Sequence, residues 1–157
     1  AELAHLVAAL SQGAPGRALD TDAEALLAVR DLVASVDATL VPGPASSVAE
    51  ALRAARGLAE DAQQLAPSLD VLSVWLRDQI LLASGARSEV ANQDRLEELR
   101  RLAETRGLTE ILRRARALEI ARALVALPQN LNNLLITEQL CLALAGQPTS
   151  TQIPRLA

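Results

Sequence analysis

Val71-Leu72-Ser73-Val74-Trp75-Leu76-Arg77-Asp78-Gln79-Ile80-Leu81-Leu82-Ala83 is the stretch whose reading decides the fold. On a helical wheel, Ser73, Arg77 and Ser84, with Asp70 ahead of them, form one narrow polar strip. Leu72, Leu76, Ile80 and Ala83 cover one side, and Val71, Trp75 and Leu82 another. A helix that is apolar around most of its girth belongs inside a packed protein. At about 15 residues it falls short of the roughly 20 needed to cross a bilayer, and it carries Arg77 and Asp78. It is therefore read as a central helix with the others packed round it. Trp75, the only aromatic residue in the sequence, is expected in its core-facing surface.

Working outward toward the N-terminus, Pro67 is expected to separate this helix from one running from Ser47 to about Leu65. Ser47-Val48-Ala49-Glu50 has the pattern of a capping box, in which the Ser hydroxyl and the Glu carboxylate each satisfy a free backbone N–H. Val41-Pro42-Gly43-Pro44-Ala45-Ser46 breaks the chain before it. Thr21-Asp22-Ala23-Glu24 suggests another capping box, opening a helix to about Leu40. Its apolar stripe is Leu26, Leu27, Val29, Leu32, Val33 and Val36. Leu3, Leu6, Val7 and Leu10 give a short first helix. It ends near Gly13, and Pro15 is placed to open the next, since its missing N–H costs nothing in a first turn.

Toward the C-terminus, Gly85 closes the central helix and Asn92 is a candidate N-cap for the next. That helix carries Leu96, Leu99, Leu102 and Ala103 and ends at Gly107. Thr109 and Glu110 start another, which stops before Pro128. Asn130-Leu131-Asn132-Asn133 caps a last helix that ends at Gly146. The expectation is an all-α bundle of six to seven helices without strands. Short loops make successive helices neighbours. Residues 147–157 read as a disordered tail.

The composition agrees with this. The 157 residues suit one domain, and half of them are apolar. A chain of this length buries roughly 70% of its unfolded surface, enough for a core without disulfides. All 15 basic residues are arginine, and Met, Phe and Tyr are absent. Without a Met at residue 1, the sequence is read as part of a longer protein. A net charge of −4 disfavours a general nucleic-acid surface, which needs positive clusters. Cys141 stands alone, so no disulfide framework is expected and the cytosol is the default compartment. No signal peptide or membrane-spanning run is found.

Little in the sequence supports chemistry. His5 is the only histidine and has neither an HExxH partner nor a cysteine pair, so a metal site is not expected. No nucleophile elbow accompanies it. Cys141 lies on the apolar face of the last helix and reads as a small buried hydrophobe. A phosphate-loop reading of Gly13 to Arg17 fails, because no Gly-Lys-Ser/Thr comes after it. Neither a cofactor nor catalysis is expected. Arg100, Arg101, Arg106, Arg113, Arg114 and Arg116 alternate with Glu97, Glu98, Glu104, Glu110 and Glu119. Pairs such as Glu97/Arg101 and Glu110/Arg114 have helical spacing. This region reads as a solvent face laced with ion pairs, with a protein or DNA-backbone contact as the alternative. It has no aromatic platform for single strands.

Three motifs, in order, resemble the C-terminal part of the delta-prime family of bacterial DNA polymerase III clamp-loader subunits. Gly13-Ala14-Pro15-Gly16-Arg17-Ala18-Leu19 is similar to a G-S-P-G-R-A-L turn at the junction of lid and last domains. Trp75-Leu76-Arg77-Asp78, with Ile80-Leu81-Leu82, is similar to a W-L-R-D-L-L-L helix. Asn130-Leu131-Asn132-Asn133 with Glu138 resembles an N-x-N-P-x-L…E-x-L-L-L ending. The gamma/tau subunit shares this architecture and stays open as an alternative.

The resemblance implies a division into residues 1–18, the end of a lid domain, and 19–146, a helical collar domain. It implies packing with the collars of gamma/tau and delta, no direct contact with nucleic acid, no membrane association and no catalysis by this part. Arg17 would lie at the lid–collar corner. Trp75 would be core, Asn130 and Asn132 would cap the last helix, and Arg77 and Asp78 would be candidates for an ion pair between helices or subunits. A ligand-binding or dimerising helical regulator is the competing expectation.

Overall fold

The computed structural model describes residues 4–11, 22–42, 47–86, 89–127 and 131–149. Among them are six α-helices and no strand: α1 (Ala4–Ser11), α2 (Ala23–Thr39), α3 (Val48–Ala59), α4 (Ala62–Ala83), α5 (Leu96–Val125) and α6 (Asn133–Leu144). A 3-10 turn, Gln93–Arg95, leads into α5. The all-α expectation holds.

Local chemistry sets most of the boundaries. The Ser47 hydroxyl accepts from the Glu50 N–H, and the Glu50 carboxylate accepts from the Ser47 N–H, so α3 opens with the expected capping box. At the start of α2, Asp22 is the N-cap and accepts from the Glu24 and Ala25 N–H groups, while Thr21 of the expected box lies outside the described residues. Asn132 does the same for Leu134 and Leu135 at the start of α6.

Two expected boundaries are corrected. Pro67 does not separate two helices; it lies inside α4. Asp61 is the N-cap, its Oδ1 accepting from the Gln63 N–H at 2.8 Å, and α3 already ends at Ala59. A proline this near a helix start forfeits one backbone hydrogen bond; Pro67 lies on the exposed side, and the helix continues on the packing of Leu65, Ser68 and Leu69. The helices expected on either side of Gly107 are the two arms of α5. Gly107 bends it, with φ 72° and ψ 160°. That conformation is essentially restricted to glycine.

α4 is the centre. It packs against α5, α2, α3 and α1, while α6 covers α3 and α5. Trp75 is fully buried, Leu65, Leu69, Leu72 and Leu76 of the same helix are buried in the same core, and Arg77 is left on the exposed strip. Leu6 of α1 is fully buried in the same core. Burial of one such leucine contributes about 1.5–3 kcal/mol.

Candidate functional site

The residues singled out from the sequence do not converge on one site. Gly13, Pro15, Gly16, Arg17 and Asn130 lie outside the described residues. Asn132 caps α6, as above. Trp75 is core and also makes a polar contact there, since its Nε1–H donates to Asp37 Oδ2 at 3.0 Å. Arg77 and Asp78 are not an inter-helix pair. Their charged atoms approach only to 3.8 Å, and the Arg77 side chain is half exposed while Asp78 is fully buried. Asp78 instead accepts from the Ala91 and Asn92 N–H groups and from Asn92 Nδ2, at 2.8–3.1 Å. It pins the connector after α4 to that helix. Asn92 is committed to this contact and makes no side-chain cap for the helical turn after it. The expected Asn92 cap is therefore corrected: Asp78 holds the amide through Nδ2, and Oδ1, the atom a cap would use, is buried and meets no backbone N–H.

The largest departure from the sequence reading is in the arginine-rich helix. Arg106 and Arg114 are not on a solvent face; they enter the core and close on Asp37 of α2. Asp37 Oδ2 accepts from Arg106 Nη1 at 2.6 Å, from Gln79 Nε2 at 2.8 Å and from the Trp75 indole. Asp37 Oδ1 accepts from Arg114 Nη2 at 2.6 Å. Arg106 Nη1 also donates to Gln79 Oε1. Arg106 Nη2 reaches the Asp37 carbonyl. Arg114 Nη1 donates to the Leu40 and Leu144 carbonyls at 2.7 and 2.6 Å. Two helix C-termini thus place their free carbonyls, which carry the negative ends of the helix dipoles, on one guanidinium.

Charges in such a place must be paired, because desolvation of an isolated ion costs several kcal/mol. Burial alone would raise the Asp37 pKa. The charges and hydrogen bonds of Arg114 and Arg106 outweigh it and hold the carboxyl below its ordinary value. Burial pulls the Arg114 pKa down, and Asp37 opposes that. The guanidinium stays charged throughout the working pH range.

A second tie joins α2 to the 3-10 turn ahead of α5. Arg30 of α2, itself buried, makes a two-pronged pair with Asp94 at 2.9 and 2.8 Å. Next to it, Arg95 bridges Asp31 and Glu98 and lies 5.5 Å from the centre of the Trp75 ring. The rest of the arginine region is the solvated face expected from the sequence, with different partners. Glu97 pairs with Arg100 in place of Arg101, Glu110 pairs with Arg113 and, as expected, approaches Arg114 at 3.8 Å, and Glu119 pairs with Arg122, which also reaches Asp70.

Nothing among the described residues groups three or more His, Cys, Asp or Glu side chains in a way that could hold a metal ion. His5 is exposed. Cys141 is fully buried, and burial pushes its thiol pKa up to about 12, so it is not a nucleophile at neutral pH. Leu127, Leu131, Leu134 and Leu135 are exposed around the α5–α6 corner, as are Leu108 and Leu112 beyond the bend. No described helix is long and apolar enough to cross a membrane.

These features define a helical bundle whose buried charges are spent on joining its own helices. Residues 45–145, well over half of the chain, match the family model for DNA polymerase III, delta subunit, C terminal. The chain belongs to that family, and so to the clamp-loader proteins of the bacterial replicase. Neither curated proteins nor solved structures gave a match.

Proposed function

We propose that this chain is a non-catalytic collar domain of a clamp-loader subunit of the delta-prime kind. The observation that carries the reading is the family match over 45–145, on a fold built round the Trp75 helix. The choice of delta-prime rests on the three ordered motifs, of which Trp75-Leu76-Arg77-Asp78 and Asn132-Asn133 fall within the matched segment; gamma/tau is the near alternative.

In this reading the domain packs against the matching domains of gamma/tau and delta. It holds their AAA+ modules in order while a sliding clamp is opened and placed on primed DNA. Residues 1–18 end a lid domain, 19–146 form the collar, and the protein works in the cytoplasm. Arg106 and Arg114 are consumed inside the fold, which leaves fewer cations for phosphate and supports a role without DNA contact. The exposed leucines of the α5–α6 corner supply apolar surface of the type that association uses.

Sequencing the gene upstream of residue 1 tests the proposal. An AAA+ module in that frame supports it. A DNA-binding helix-turn-helix there would replace it with the regulator reading.

A further inference from the structure

The bend in α5 and the buried charge cluster share a position. Arg106 immediately precedes Gly107, and Arg114 lies on the arm beyond it. The two oxygens of one carboxylate divide between them: Oδ2 takes Arg106 and Oδ1 takes Arg114, each at 2.6 Å. The Asp37 carbonyl also accepts from both guanidinium groups. Two donors of α4, Trp75 Nε1 and Gln79 Nε2, complete the shell.

A Cβ built on Gly107 would meet no atom within 4 Å, so glycine is called for there by its positive φ and not by a close approach. Glycine adopts a positive φ without steric penalty, so the backbone at Gly107 leaves the angle between the arms to their contacts. The hydrogen bonds that join the arms across the bend converge on Asp37. The arms also share the apolar core, in which Leu99 of the first arm is buried with Leu118 and Ala121 of the second.

We infer that Asp37 is the latch of a hinge at Gly107: by gripping Arg106 and Arg114 together it sets the angle between the two arms of α5. Removal of the grip on Arg106 frees the first arm to pivot while both arms stay helical. The inference is independent of the clamp-loader reading, since it rests on contacts within the chain.

The experiment is a spin-label distance measurement on the full chain with Arg101→Cys and Arg116→Cys, one exposed position on each arm. Cys141, buried and protonated, stays unlabelled. A continuous helix would put the two positions about 22 Å apart. The unmodified latch is expected to give one narrow distance distribution. Asp37→Asn and Arg106→Met are expected to broaden or displace it, with far-ultraviolet helicity retained. Arg106→Lys, which keeps the charge and loses the fork, is expected to fall between. Asp94→Asn, which breaks the Arg30 tie away from the bend, is expected to leave it unchanged.

Arg106→Met preserves the Asp37–Arg114 pair and decides the question if Asp37→Asn does not fold. A broad distribution in the parent chain overturns the inference. So does a parent-like distribution in the folded latch variants, or an equal response to Asp94→Asn. Loss of folding in all three latch variants, Arg106→Lys included, also overturns it, because the cluster would then hold the whole fold and not an angle.

Discussion

Arg114 and Arg122 lie on the same arm of α5, and each meets an aspartate from another helix at nearly the same distance: Asp37 at 2.6 Å and Asp70 at 2.7 Å. The difference is water. Both side chains of the first pair are fully buried, whereas those of the second are 30% and 53% exposed. In the interior, Arg114 has no solvent to fall back on: its Nη1 donates to the Leu40 and Leu144 carbonyls, and its Nε is buried without a partner. At the surface, Arg122 shares itself between Asp70 and Glu119, and water can replace either. Equal geometry therefore carries unequal consequence. A buried pair is costly to break from one side because the partner left behind is an uncompensated ion. A surface pair is screened and contributes little.

The strongest way to break this comparison is Asp37→Asn. It leaves two buried guanidinium groups facing a neutral amide, and a loss of about 3–5 kcal/mol in urea unfolding is expected. A loss below about 1 kcal/mol would place the inner pair in the same class as the outer one. The pH dependence sharpens the point. Asp37 has a lower pKa folded than unfolded, so the unfolded chain binds its proton first as pH falls. Its contribution is complete above the ordinary aspartate value of about 3.9 and is lost as pH drops through the lower folded value. The parent chain is expected to lose stability more steeply than Asp37→Asn below about pH 5, measured by urea midpoints across the series.

Gly107→Ala asks whether the inner cluster depends on the bend. The new methyl group meets open space, so the cost is confined to the backbone, about 1–3 kcal/mol in thermal or urea unfolding. A neutral or stabilising result would mean that α5 straightens without loss of its inner contacts. Asn132→Ala removes a cap in place of a charge. It leaves the Leu134 and Leu135 N–H groups to water and is expected to cost about 1 kcal/mol by the same measurement. The smallest effect belongs to the outer pair. A double-mutant cycle on Asp70 and Arg122 is expected to give a coupling below about 1 kcal/mol that fades in high salt.

The frame was legible from sequence because it depends on spacing and caps. The apolar residues of 71–76 are buried as read, while Ile80, Leu81 and Leu82 are half-buried and Ala83 is exposed; Ser47 and Glu50 form their box, and Gly107 interrupts helical geometry. The α3–α4 boundary was misplaced because Pro67 is the louder signal, while Asp61, a quiet N-cap, sets the start.

The charged interior was missed for a different reason. Charged residues default to solvent in a pattern reading. A signal existed, because Arg114 is in phase with Ile111, Leu118 and Ala121 on one face, and Asp37 with Val33, Val36 and Leu40 on another. Opposite charges recurring at core-facing positions of two helices are a sign of mutual burial. Which charge meets which depends on tertiary placement, and spacing within one helix carries no such information. Arg77 and Asp78 show the limit from the other side: adjacent in sequence, they point one to water and one inward.

The proposed association is tested most directly by sedimentation velocity of this chain, alone and mixed with the C-terminal domains of the same organism's gamma/tau and delta subunits. A heteromeric species that forms only in the mixture is the predicted result. A monomer indifferent to both partners, or a tight homodimer that excludes them, would contradict it.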